Sequence, residues 1–301
     1  MPAVSAEPAP SRQIALSFDD APRGAGPFFS GAERADQLIQ SLRSVSVSGA
    51  LFFVVTGRLE DNPIEGAERL KRYVAAGHHL ASHSHTHPYL HRTAPDEFLR
   101  DMDQSLAQLT SFDGVLPLFR FPYLDEGREL QRRDAVREGL RGRNLANGYV
   151  TVDNYDWYMA ALAREALVAG HDLDRERLGR LYVEVLTESV EFYDRIAVSV
   201  LGRSPRHVLL LHENDLAALY IDELVESLGD RGWRIIPAAE AYQDPLAQVE
   251  PDTLFLGQGR VAALAHAAGW EPRELVHHTE DEQWLRARFL EEGLLPAPEP
   301  N

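Results

Sequence analysis

Short apolar runs alternate with stretches of helical period from residue 13 onward. "QIALSF" (13–18), "GALFFVV" (49–55), "HHLASH" (78–83), "PLFRF" (117–121), "GYVTV" (148–152), "HVLLLH" (207–212) and "WRIIP" (233–237) are rich in β-branched and aromatic residues and read as strands. Between them, apolar residues recur at helical spacing over 31–44, 64–77, 94–111, about 127–141, 158–169, 174–200 and 215–232. Strands without polar alternation are buried on both faces, the mark of a parallel sheet covered by helices. Seven βα units predict an α/β chain closing into a distorted (β/α)7 barrel rather than an open sheet. The first twelve residues, with three prolines and no apolar core segment, read as a flexible leader. Residues 13–243 form the expected barrel. Residues 244–301, helical segments broken by prolines, read as a helical C-terminal extension packed on it.

Composition changes the picture in three places. The chain of 301 residues carries 47 acidic against 30 basic groups, a net charge of −17 that repels phosphate backbones and excludes nucleic acid as the expected partner. No apolar run approaches the roughly 18 residues of a membrane span. The absence of cysteine removes thiolate metal sites, cysteine nucleophiles and disulfides. It leaves the compartment undecided between cytoplasm and export, with a periplasmic or secreted location slightly favoured. Oligomeric state is not legible.

In a β/α barrel the chemistry gathers where strands end at their C-terminal side. The unusual polar residues fall there: Asp19 and Asp20 after the first strand, His83, His85 and His87 after the third, Arg120 after the fourth. Asp153, Asp156 and Trp157 follow the fifth, and His212 ends "HVLLLH". Asp20, His83 and His87 supply one carboxylate and two imidazoles, a set suited to a zinc-like divalent ion. His83 and His87 share a face if the turn is helical; on an extended backbone His83 would pair with His85 instead. Against this, a lone HxxxH pair is more often surface, and "DDAPRG" is also turn-rich. Adjacent Asp19 and Asp20 suggest a division of labour, one carboxylate binding the ion while the other takes a proton from the bound water. Arg120, needing a carboxylate to be buried, would pair with Asp19. Trp157 would wall a pocket or join the core. His212 becomes a general-acid candidate if Asp156 sets its protonation.

Five runs in fixed order carry a resemblance: "SFDD" (17–20), "HSHTH" (83–87), "RFPY" (120–123), "DNYDW" (153–157) and "LLLH" (209–212). Over residues 13–242 the chain resembles the polysaccharide deacetylase family, carbohydrate esterase family 4. The resemblance implies a distorted (β/α)7 barrel that removes acetyl groups from an acetylated glycan of chitooligosaccharide or peptidoglycan type. It implies Asp19 as base, Asp20, His83 and His87 as metal ligands, and His85 as a non-ligand. Arg120 would position Asp19, and the Tyr123 backbone N–H would hold the oxyanion. Trp157 and Leu210 would line the acetate pocket, and His212 would be the acid tuned by Asp156. Zinc is the first choice of ion, with cobalt, nickel or manganese compatible. Ala21, Leu124 and Glu213 depart from the family pattern at positions following the motifs. The competing readings are an O-acetyl xylan esterase, a small cyclic amide or imide hydrolase, and a glycan-binding barrel without activity.

Overall fold

A computed structural model describes residues 12–255 and 257–296. The expected leader, apart from Arg12, and the last five residues of the expected extension lie outside the described residues. Seven strands are present: β1 (Arg12–Ala21), β2 (Leu51–Val54), β3 (His79–Ser82), β4 (Val115–Phe119), β5 (Ala146–Asn147), β6 (Arg206–His212) and β7 (Trp233–Ile235). They run in the order β5-β4-β3-β2-β1-β6, and every pairing is parallel. β7 pairs with β1 at Arg12–Ile14, on the edge opposite β6 and below the residues that β2 occupies from Ser17 upward. The result is the curled, distorted β/α barrel the pattern predicts.

Closure depends on the stretch after β4. Gly148 N–H donates to Phe119 of β4 at 2.7 Å, Thr151 N–H donates to Val208 of β6 at 3.0 Å, and Val152 forms an isolated bridge with Leu209. One segment thus leaves β4 and joins β6. The strand expected over 148–152 is therefore absent as such, leaving the two-residue β5 just before it and a bridge at Val152, because a segment crossing a gap cannot ladder with one neighbour along its length.

Eleven α-helices are assigned among the described residues: α1 (Gly31–Ser44), α2 (Arg58–Asp61), α3 (Pro63–Ala75), α4 (Pro95–Leu109), α5 (Leu130–Gly142), α6 (Asp156–Val168), α7 (Arg175–Leu201), α8 (Asp215–Asp230), α9 (Ala238–Ala241), α10 (Arg260–Ala267) and α11 (Glu282–Glu291). Their starts follow local chemistry. Ser30 and Glu33 form a reciprocal capping box at α1, Asn62 and Asn214 cap α3 and α8, and Asp174 caps α7. Gly202, in the left-handed region, ends α7. The single-turn helices α2 and α9 were not expected, being too short for periodicity to register.

Two apolar layers sandwich the strands. Leu16 and Phe18 point outward, into the large cluster shared with α1, α3, α7 and α8. Ala15, Leu51, Phe53, Ala81 and Val208 point inward and fill the barrel. Val261, Ala265, Leu275, Leu285 and Phe289 of the C-terminal residues are buried in that outer cluster with α7. Among the described residues no helix is long and apolar enough to cross a membrane.

Candidate active site

Period-two alternation places the first aspartate. Ala15 faces the barrel interior, so Ser17 and Asp19 do too, and Asp19 emerges at the mouth. Asp20 should then face outward. Its φ of +73° breaks the alternation and returns its carboxylate to the same mouth. Such a conformation in a non-glycine residue costs about 1–3 kcal/mol, and aspartate tolerates it better than most.

Arg120, fully buried at the end of β4, reaches back across the mouth. Its Nη1 lies 2.5 Å from Asp19 Oδ1 and 2.9 Å from Ser17 Oγ. Nε donates to the Gly148 carbonyl at 2.7 Å and Nη2 to the Tyr242 hydroxyl at 3.0 Å, while the guanidinium sits 3.8 Å over the Phe53 ring. Burial pushes the Asp19 carboxyl up, with Arg120 and His212 pulling against it.

The histidine turn is not helical. His83 N–H donates to Val54, Ser84 and His87 take positive φ values of 72° and 60°, and the Ser84 hydroxyl accepts from His87 N–H at 2.9 Å. Two left-handed residues fold the chain back, which brings His83 and His87 together without a helix. Their Nε2 atoms are 3.1 Å apart, and His87 Nε2 is 3.4 Å from Asp20 Oδ1. His83 Nδ1 lies 2.9 Å from the Arg120 carbonyl. A carbonyl only accepts, so Nδ1 carries the proton and Nε2 keeps its lone pair. Burial drives both imidazoles down to about 3, His87 with a further push from His83, so both are neutral. Burial opposes the charge on Asp20, but Arg58 and the nearby histidines hold its carboxyl well below the usual range. Asp20 Oδ1 is buried without a hydrogen-bond partner. An orphaned carboxylate oxygen facing two lone-pair nitrogens, all within 4.8 Å of one another, fits a divalent cation of the zinc, cobalt, nickel or manganese kind.

His85 stands outside this group. Its Nδ1 pairs with Thr56 Oγ1 at 3.0 Å and its Nε2 with Gln104 at 2.8 Å, so both nitrogens are engaged. The alternative of an extended His83–His85 pair is thereby replaced. A second grouping, Glu188, His277 and His278, also gathers within 4.8 Å on α7 and the turn before α11.

On the opposite strand, β6 places His212 beside Asp19 as its register partner. His212 Nδ1 is 2.6 Å from Asp156 Oδ1, and Asp156 Oδ2 accepts from the His212 backbone N–H at 3.0 Å and Asn214 Nδ2 at 2.8 Å. Asp156 opens α6 and is fully buried. Burial lowers the His212 imidazole, but the Asp156 charge and hydrogen bond outweigh it and raise the group overall.

Glu213, next along, is fully buried. It accepts from Arg69 at 2.9 Å, Tyr73 Oη at 2.8 Å and the Arg23 backbone N–H at 2.6 Å, with Arg34 Nε at 3.6 Å. Removing one partner of a buried charge network strands the others. Glu213→Ala should therefore lower unfolding stability by about 3–5 kcal/mol, read from the denaturant midpoint, and Glu213→Gln by less.

Asp19, Asp20, His83, His87 and His212 line one open cavity of about 540 Å³. Trp157, Leu210 and Tyr123 line it as well. Tyr123 has a φ of 58°, stacks on Tyr89 at 3.6 Å and meets His87 edge-on at 4.5 Å. Tyr89, Tyr155, Arg23, Arg58 and Gly257 also line the cavity and were not singled out from sequence. Asp153 lies there too, its carboxyl pushed well up by burial and by Glu280.

A parallel β/α barrel whose strand ends carry paired aspartates and histidines around one mouth defines a class of chain. The family model for polysaccharide deacetylases matches residues 6–141 of this chain. It is 22% identical over 240 residues to a peptidoglycan-N-acetylglucosamine deacetylase of Bacillus cereus, covering 77% of this chain and 70% of that one. It is 26% identical over 233 residues to chitin deacetylase 3 of Cryptococcus neoformans, covering 76% of this chain and about half, 47%, of that one. A family 4 acetyl xylan esterase from Clostridium thermocellum, solved with a cobalt ion, superposes with a TM-score of 0.50 at 20% identity, over 77% of this chain and 90% of that one. That likeness is one of fold.

Proposed function

We propose that the chain is a metal-dependent hydrolase that removes acetyl groups from an N-acetylated glycan of chitooligosaccharide or peptidoglycan type. One observation carries the reading. A cation-ready Asp20–His83–His87 group lies between a carboxylate held by Arg120 and an imidazole held by Asp156, all facing one cavity.

Asp20, His83 and His87 would hold a divalent ion, whose Lewis acidity would be available to an acyl oxygen and to water. Asp19 accepts the proton of the attacking water, its carboxylate fixed by Arg120. The water oxygen bonds to the acyl carbon, and the Tyr123 backbone N–H donates to the oxyanion that forms. Trp157 and Leu210 flank the acetyl methyl. His212 has Nδ1 tied to Asp156, which leaves Nε2 to protonate the departing nitrogen. The carbon–nitrogen bond breaks, releasing acetate and an amine. An imidazolium held by a buried carboxylate suits an amide, whose nitrogen leaves poorly without a proton. That favours N-acetyl over O-acetyl substrates. The test is acetate release from chitooligosaccharides and peptidoglycan fragments. Release should stop on metal stripping and return with added divalent ion; no release under either condition overturns the reading.

Asp156 gives a further expectation. His212 must be protonated to act, so activity falls as pH rises through its pKa. Asp156 raises that pKa. Asp156→Asn removes the raising charge, so the alkaline limb of the rate profile should move to lower pH. An unmoved limb shows that another group sets it.

A further inference from the structure

Four arginines surround the loop after β1, and they divide into two kinds. Arg34 and Arg69 are buried and paired: Arg34 with Asp215 at 2.9 Å, Arg69 with Glu213 at 2.9 Å. Arg23 and Arg58 have side chains about one third exposed, and both line the catalytic cavity. Their common acidic neighbour is Asp20, whose Oδ2 is 3.6 Å from Arg23 and 3.2 Å from Arg58. Arg58 also donates to the Asp20 backbone carbonyl. The Arg23 guanidinium makes no hydrogen bond to any described residue, and its Nη1 is buried without a partner.

Structure alone gives Arg58 a task, the anchoring of the β1 end. It gives Arg23 none. Two half-buried arginines in the cavity of a chain with net charge −17 are against its overall trend. They also stand where the catalytic cavity opens into two neighbouring grooves of about 340 and 410 Å³, each lined in part by Arg23 and Arg58. A glycan running into either groove passes both side chains.

From this we infer that Arg23 and Arg58 form an anion subsite, and that the substrate is an acetylated glycan carrying a carboxylate next to the sugar being deacetylated. This rests on the deacetylase reading of the cavity. Guanidinium groups match carboxylates geometrically through paired N–H donors. A singly charged carboxylate fits better than a phosphate dianion, because the Asp20 carboxylate lines the same space and repels denser negative charge.

The experiment uses a matched pair of ligands: a tetrasaccharide alternating N-acetylglucosamine with N-acetylmuramic acid, and the same molecule with its carboxylates amidated. Binding is measured by calorimetry on metal-stripped protein, so that no ion can take the carboxylate. The acid form should bind about tenfold more tightly than the amide at low salt, with the preference shrinking as salt rises. Arg23→Gln should remove most of the preference and Arg23→Gln/Arg58→Gln the rest, while Arg23→Lys should keep part of it. Equal binding of acid and amide by the wild-type chain overturns the subsite, and needs no variant to fold. A preference that survives the double substitution also overturns it. Acetate release, measured on reconstituted protein with neutral chitotetraose and both tetrasaccharides, separates the two readings. Release without any carboxylate preference in kcat/KM or binding overturns the subsite and leaves the deacetylase standing. Carboxylate-selective binding with no release from any substrate overturns the deacetylase and leaves the subsite.

Discussion

Replacing His83 and His87 together by alanine should abolish stoichiometric binding of a divalent ion, and acetate release should fall to background. The two Nε2 atoms meet at 3.1 Å only because Ser84 and His87 adopt left-handed backbone conformations between them. Each single substitution leaves one imidazole and Asp20, too few ligands to fix a tetrahedral ion with an open position. Loss of partners that merely orient a ligand already costs about 10–100-fold in affinity, so loss of a ligand itself should exceed that. His85→Ala is the control. Its ring nitrogens are engaged by Thr56 and Gln104, so metal content should hardly change. Metal content of purified variants after equilibration with one divalent ion per chain decides the matter. Stoichiometric metal in His83→Ala/His87→Ala would sink the assignment.

The sequence makes the barrel legible because its signals are local. β1 and β6 are nearly unbroken apolar runs, and α1, α3, α7 and α8 each begin at a side-chain cap and continue with an apolar stripe. Asp19 follows from the same local rule, since inward Ala15 and Ser17 carry the alternation to it. Asp20 does not. Its return to the mouth depends on a positive φ that nothing in "SFDD" announces. The histidine turn was legible in its residues but not in its form, for a similar reason. Helical spacing and a tight left-handed turn both bring residues i and i+4 together. The crossing segment at 146–153 read as an ordinary strand because "GYVTV" has strand composition whichever neighbours it pairs with. Arg23 and Arg58 were invisible, being single arginines, one in a turn-rich loop and one opening the single-turn α2. Only the fold shows that Glu213 and Asp215 engage Arg34 and Arg69 and leave the Arg23 guanidinium without a hydrogen bond to a described residue. Glu213 stood out as a departure from the family pattern, yet its role as the hub of that buried charge network needed the structure.

His212→Ala should slow hydrolysis of an N-acetyl amide by about 10²–10⁴, the usual contribution of a positioned acid, and slow an activated acetate ester far less. The asymmetry follows from the leaving groups. An amide nitrogen must be protonated as its bond to carbon breaks, whereas a nitrophenolate departs without a proton. His212 is placed for that task by two contacts. Its register pairing with Asp19 puts base and acid on neighbouring strands of one mouth, and its Nδ1 bond to Asp156 leaves Nε2 as the free nitrogen. Burial alone would lower the imidazole, yet the Asp156 carboxylate more than offsets it, so the proton stays on to higher pH than usual. In the wild type the amide rate should accordingly fall on the alkaline side as His212 loses its proton, and in His212→Ala that limb should flatten. Asp19→Asn gives the contrast, because water must be deprotonated for either substrate. It should slow amide and ester alike while leaving metal content intact. Rate profiles against pH for wild type and both variants, on one amide and one activated ester, separate the two roles. If His212→Ala slows both substrates equally and leaves the alkaline limb in place, His212 is not the acid.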